Sequence, residues 1–227
     1  MTPEEQKDHA TLEELFVYVP DGGTKSYVGR DEILDALQTG VLKRRVVRFV
    51  YRGARGRPER GHLAPLAMLL YRQGVYVLGA RLKRPEDGSP ALRDGAPLVL
   101  FAAERFLEAE YLRHVGFGKP VGFDVRSYVH GAFGIHLGDA NTSHAVVIDF
   151  AKEKVTYVEG RLWHPTQTLE PLANGGLRLR FACPDLSPVV SWVLSWGPHA
   201  TVIAPTELRE RVRDEVEGAL ANYDLRA

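Results

Sequence analysis

The chain alternates between two hydrophobic periods, and the changes mark its elements. Residues 31–42, DEILDALQTGVL, place Ile33, Leu34 and Leu37 on one face, which predicts a short helix stopped by Gly40. Before it, FVYVPDGGTKSYVG is a short strand-like run and a Gly-rich turn. Its GGTKS lacks the phosphate-loop spacing G-x-x-x-x-G-K-[ST]. From Val46 the period is two. In VVRFVYR, Val47, Phe49 and Tyr51 share one face, while Arg48, Val50 and Arg52 share the other. GARGRPE is a turn. RGHLAPLAMLLYR follows, with Pro65 expected at an edge or at a break between two strands. QG at 73–74 predicts a tight hairpin, GVYVLGARL a strand, RPEDGSPALRDGAP a loop and LVLFAAERF a closing strand. About five short strands after one helix suggest a small barrel.

Residues 113–144 have many Gly and His and little periodicity, so they read as a linker with a short helix at DVRSYVHGAFG. Patterning resumes at AVVIDF, KVTYVEG, LWHPTQTLEPL and GLRLRFAC. NGG at 174–176 is a hairpin signal. SPVVSWVLSWG predicts a helix with Val189, Trp192, Val193 and Trp196 on one face, Pro188 in its first turn and Gly197 beyond its end. ATVIAP is a buried strand. PTELRERVRDEVEGALANYD is an amphipathic helix with Thr206 as N-cap. Together these elements resemble a ferredoxin-like unit.

Charge changes this picture. The 227 residues carry 29 basic and 29 acidic side chains, yet residues 43–84 hold twelve Lys/Arg and a single acid, Glu59. A cationic island in a neutral chain attracts phosphates or other anions. No apolar run approaches the roughly 20 residues that span a bilayer. The acidic N-terminus does not read as a signal peptide. Cys183 is the single cysteine, so no intrachain disulfide forms, and a reducing cytoplasm is the simplest compartment.

The residues resemble a known family. VVRFVYRG, RGHLAPLAMLLYRQGVYVLGARL and LVLFAAERF resemble a WYL domain. VIDFA, VEGRLWHPTQTLEPLANGGLRLRF and VVSWVLSWGPHATVIAPTELRERV resemble the C-terminal extension that follows WYL domains in bacterial transcription regulators. The resemblance implies an α+β fold: an Sm-like (SH3-like) small β-barrel followed by a ferredoxin-like domain. The implied division is a joining segment over 1–32, the barrel over 33–112, a linker over 113–144 and the extension over 145–227. It further implies ligand sensing, homodimerisation and no membrane. DNA would be bound only through a winged helix-turn-helix, which residues 1–32 do not resemble. The chain is then either part of a longer regulator or a stand-alone sensor.

The site residues follow position by position. The name-giving triplet reads Val75-Tyr76-Val77, so only its tyrosine is retained. Arg60 with Pro65 matches the family's R-x-x-x-x-P. Arg105 matches the last arginine of F-R-L-D-R-I, whose first arginine is Ala102 here and whose aspartate is Glu104. Arginine suits an anionic oxygen ligand because its planar fork donates two hydrogen bonds and stays charged. Arg48, Arg60, Arg72, Arg81 and Arg105 are the candidate cations, with Tyr51, Tyr71, Tyr76 and His62 as candidate stacking partners. Tyr76 is either such a contact or a core residue with its hydroxyl at the rim. The implied effector is a nucleotide or single-stranded nucleic acid; the alternative is a ligand-free dimerisation module. Trp163, Trp192 and Trp196 read as packing residues. There is no G-x-S-x-G, H-E-x-x-H or C-x-x-C, and the eight histidines lack metal-ligand spacing, so neither enzyme activity, a cofactor nor a metal is expected.

Overall fold

The computed structural model describes residues 25–53, 56–83, 92, 96–130, 132–135 and 142–224, in two compact units divided between Val121 and Gly122. The expectations for FVYVPDGG and for most of the loop RPEDGSPALRDGAP lie outside the described residues. No helix among the described residues is long and apolar enough to cross a membrane.

The first unit is one helix and one antiparallel sheet. Helix α1 (Asp31–Leu42) leads into β1 (Arg45–Arg52), β2 (Pro58–Tyr71), β3 (Gly74–Leu82), β4 (Leu98–Ala102) and β5 (Phe106–Gly116), ordered β4-β3-β2-β1-β5. Gly40 does not stop α1, which continues to Leu42. A Cβ at Gly40 would lie 2.6 Å from Val47 Cγ2, so glycine lets the helix backbone approach β1.

Pro65 does not break its segment. Residues 58–71 are one strand, with a register shift between Pro65 and Ala67. A proline donates no ladder hydrogen bond, and a bulge is one of the places a sheet tolerates it. The first half of β2 pairs with β1 and the second with β3. GVYVLGARL is therefore the third strand. The hairpin before it turns one residue earlier than QG implies: Arg72 and Gln73, at φ +43° and +61°, lie between the paired Tyr71 and Gly74. Two consecutive positive φ values match the twist of a two-residue hairpin.

LVLFAAERF is not one strand. A single 3-10 turn, Ala103–Arg105, separates β4 from β5, and β5 runs on into the expected linker as far as Gly116. β4 and β5 are sequence neighbours but form no ladder with one another, so the sheet is open where a closed barrel was expected. The corner at Ala103–Arg105 turns the chain without bringing the two edges into hydrogen-bonding register.

Alternation gives the sheet two apolar layers. Val47, Phe49, Tyr51, Leu63, Val77, Phe101 and Phe106 form the inner cluster with Leu37 of α1. Val46, Ala64, Ala80, Val115 and Phe117 pack on the other side.

The second unit begins with α2 (Val125–His130). It continues with β6 (His144–Phe150), a 3-10 turn, α3 (Val155–Glu159), β7 (Thr168–Pro171), β8 (Leu177–Cys183), α4 (Ser187–Leu194), β9 (Ala200–Ala204) and α5 (Thr206–Asp224). KVTYVEG thus forms mostly helix, and Thr206 is the first residue of α5 rather than a cap outside it. The antiparallel sheet runs β7-β8-β6-β9. Val146, Ile148 and Phe150 of β6 and Leu177, Leu179, Phe181 and Cys183 of β8 face one core, with Val189, Trp192 and Val193 of α4 and Leu208 of α5. The three tryptophans belong to this packing. Trp192 is buried, and its ring centroid lies 5.0 Å from Trp163 and 5.9 Å from Trp196.

LWHPTQ is a backbone knot. Gln167 Oε1 accepts the N–H groups of Trp163 (2.6 Å) and His164 (3.1 Å), and its amide donates to the Arg161 carbonyl (3.0 Å). Thr166 Oγ1 accepts the Ala182 N–H at 3.1 Å, tying the turn to β8. His164 is buried, stacks on Phe181 and accepts the Thr166 N–H at Nδ1. Trp163 Nε1 donates to the Val158 carbonyl at 3.0 Å, which anchors the turn to α3.

Two outcomes follow. Gln167→Ala removes the partner of two part-buried N–H groups and of an exposed carbonyl, so chemical denaturation should show a loss of about 1–3 kcal/mol in this unit, at roughly 0.5–1.5 kcal/mol for each of the two part-buried bonds. Burial pushes the Cys183 thiol up to about 11, and its Sγ–H points to the Asp185 carbonyl. A thiol reagent at pH 8 should therefore leave the native protein unlabelled and modify it only after unfolding.

Candidate ligand-binding site

The pleat of the first sheet decides where the candidate residues go. In an antiparallel pair, directly opposite residues share a face. Phe49 lies opposite Gly61 and Ala109, and Tyr51 opposite Glu59 and Phe106; these face the inner core. Arg48 lies opposite His62 and Glu110, and Val50 opposite Arg60 and Glu108; these face outward. Arg48, Arg60 and His62, three of the nominated residues, therefore line one open cleft of about 510 Å³. Glu108 and Glu110 of β5 complete it.

The cleft is of mixed charge. Arg48 is paired with Glu110, both largely exposed. Arg60 and Glu108 make no ion pair among the described residues, although both are exposed. Burial lowers the His62 pKa below its usual 6.5, and the Arg48 charge lowers it further, so the imidazole is neutral at pH 7.

Arg81 and Arg105 stand elsewhere, over the inner aromatic cluster. The Arg81 guanidinium lies 5.0 Å from the Phe101 ring and 5.6 Å from Phe49, and donates to Glu59 at 2.8 Å. Arg105 lies 5.1 Å from the Tyr51 ring, and its Nε donates to the Arg52 carbonyl at 2.9 Å. Arg60 and Arg105, the two positions where pattern and chemistry agreed, are thus on opposite faces of the sheet.

Tyr51 is not a free stacking surface. It is buried between Phe101 and Phe106, its hydroxyl accepts the Ala102 N–H at 3.1 Å, and burial raises its pKa above 10. Arg72 sits at the tip of the β2–β3 hairpin, over Tyr71 at 5.5 Å.

Tyr76 takes the rim position. It is half-buried on the face away from Arg81, and its hydroxyl accepts from Lys25 Nζ at 2.8 Å. Lys25 also reaches Glu104 Oε1 at 2.5 Å. Burial lowers the Lys25 pKa, but the bonds to Glu104 and Tyr76 together outweigh it and leave the group above its usual value. Tyr27 continues the strap, its hydroxyl accepting the Val75 N–H at 2.7 Å, and Arg30 donates to the Phe106 carbonyl at 2.6 Å.

Sequence reasoning missed the acidic half of the cleft. The alternation Glu108-Ala109-Glu110 carried the signal, since it places both carboxylates on one face of a strand. It missed Lys25 because no local pattern announces a contact across 51 residues. Among the described residues, no group of three His, Cys, Asp or Glu side chains could hold a metal ion.

No curated protein matches the chain. Among solved structures, the chain is similar to proteasome accessory factor B/C (PafBC) of Arthrobacter aurescens at 16% identity and a TM-score of 0.38, covering 89% of this chain and 29% of that one. It is also similar to a CRISPR Cas-related protein at 15% identity and a TM-score of 0.50, covering 85% of this chain and 51% of that one. The chain thus spans about a third and about half of their lengths. The second likeness supports the α+β fold alone. The WYL domain model matches residues 32–110, and the WCX domain model matches residues 142–220. The chain is accordingly a WYL-domain protein, a WYL domain followed by a WCX domain.

Proposed function

We propose that this chain is the ligand-sensing part of a cytoplasmic transcription regulator, and that its WYL unit binds an anionic effector, a nucleotide or single-stranded nucleic acid. The observation that carries the reading is the convergence of Arg48, Arg60 and His62, from two strands, on one cleft. Arg52, further along β1 on the same face, extends the row of cations. Along a strand, every second residue advances by roughly 6.6–6.8 Å. Arg48 and Arg52 therefore present charge along a line with Arg60 beside it, an arrangement suited to an extended anion. Arg81 and Arg105 then serve chiefly to cover the aromatic core. The order β4-β3-β2-β1-β5 supports an open Sm-like sheet, and the β-α-β-β-α-β order of the second unit supports a ferredoxin-like fold. Residues 33–112 would form the sensor and 145–227 the extension, with 1–32 and 113–144 as joining segments.

One surface favours a second reading, a dimerisation module that needs no ligand. Val216, Leu220 and Tyr223 of α5 are 50%, 58% and 78% exposed at helical spacing. That reading requires a dimer in sedimentation that no oligonucleotide stabilises against heat.

Two measurements test the first reading. In fluorescence anisotropy with a labelled dT oligonucleotide, Arg60→Ala should weaken binding at least about tenfold, the scale of one charge-assisted hydrogen bond. It should also flatten the plot of log affinity against log salt by about 0.7, the contribution of one phosphate contact on a single strand. Arg105→Ala, on the opposite face, should leave that slope unchanged; the reverse pattern would overturn the assignment. The second measurement uses pH. A bound anion offsets the Arg48 charge and raises the depressed His62 pKa, so binding takes up a proton. Affinity should therefore rise as pH falls through 6.5 toward the unliganded His62 value, by no more than tenfold per unit, and His62→Gln should flatten the rise.

A further inference from the structure

We propose that the same cleft reads the base of its nucleotide as well as holding the phosphate, and that it prefers guanine. The inference rests on the anion-binding reading above and adds the chemical class of the ligand. Across the sheet, Arg60, Val50 and Glu108 form one row on the outward face. Adjacent strands lie 4.7–4.9 Å apart, so the backbones carrying Arg60 and Glu108 are roughly 10 Å apart with the apolar Val50 between them. The row therefore offers a cation, an apolar floor and a carboxylate in that order.

A uniform polyanion uses only one end of that row. Glu108 repels phosphate, and it also lines the neighbouring cleft with Asp31 and Glu32, which extends the negative side. The potential runs from cationic on β2 to acidic beyond β5. A ligand matching it carries phosphate at one end and hydrogen-bond donors at the other. A nucleotide is such a ligand, and the cleft volume of about 510 Å³ suits one. An ionised carboxylate only accepts hydrogen bonds. Guanine presents two adjacent donors, N1–H and its N2 amino group, on one edge, matching the two carboxylate oxygens. Cytosine and adenine present a single amino group there. Thymine and uracil present one N–H between two carbonyls, whose oxygens oppose a carboxylate. Glu110 is already committed to Arg48, which leaves Glu108 as the reading group.

The test compares dT hexamers with hexamers carrying one central dG, dC or dA, using the full chain in anisotropy, with GMP as competitor. The dG hexamer should bind at least about fivefold more tightly than dT, the lower end for one bidentate base contact. Glu108→Gln and Glu108→Ala should bring that ratio close to one while dT binds as tightly or more tightly, since a carboxylate that repels phosphate is gone. Competition by GMP alone would support a free nucleotide as the source of the base; a preference shown only within hexamers would support a strand. Equal binding of all hexamers, lost in Arg60→Ala, would overturn the base reading and leave the anion site standing. Equal weakening of dG and dT by both Glu108 variants would also overturn it. Failure of every hexamer and of GMP to bind would overturn both.

Discussion

The packing of four rings sets everything else in the WYL unit. Phe49 and Tyr51 from β1 meet Phe101 from β4 and Phe106 from β5, with ring centroids 4.9–5.8 Å apart. Edge-to-face contacts at such distances stabilise beyond simple burial. They also hold the register of β1. A slip by one residue would drive Arg48, Val50 and Arg52 into the core and put the rings in water, so the outward row of cations follows directly from the inward row of aromatics. Arg81 and Arg105 complete the cluster from its rim as flat cations over ring faces.

The WCX unit shows a different use of specific residues. Its most recognisable stretch, LWHPTQ, contains histidine, threonine and glutamine, side chains that often do chemistry. Here they satisfy backbone groups in a turn that cannot form a ladder. A part-buried turn around the buried His164 leaves N–H and C=O groups that need partners. Gln167 supplies three of those bonds and Thr166 joins the turn to β8. The motif is specific because its geometry is demanding. Arg178 of β8 is likewise held, by a two-point pair to Asp149 at 2.6 and 2.7 Å on the opposite strand. The polar residues of this motif and of the Asp149–Arg178 pair are thus occupied in holding the unit together.

The cationic island is therefore not one site. Its members divide by the parity of their strand positions and by what stands opposite them. Arg81 meets Glu59, Arg48 meets Glu110, and Arg60 faces Val50 and then the carboxylate of Glu108. Within a segment of sequence with an excess of eleven positive charges, Arg48 and Arg60 thus join a polarised cleft on one face and Arg81 caps the aromatic core on the other.

Local pattern alone determined much of this protein. Alternation in VVRFVYR identified which of its residues face in, and helical spacing identified the Trp-bearing helix α4. Spacing and order in the second half identified the family. These are short-range properties, written within a few residues of one another. What the tertiary structure decided depends on distant pairings: that Pro65 bends a strand through a bulge instead of ending it, that the sheet stays open at Ala103–Arg105, and that Lys25 holds Tyr76. It also decided that Arg60 and Arg105 face apart while Arg60 and Glu108 share a row. Which residues share a row is set by the register between strands, and register is fixed by the packing of the whole core rather than by any segment within it.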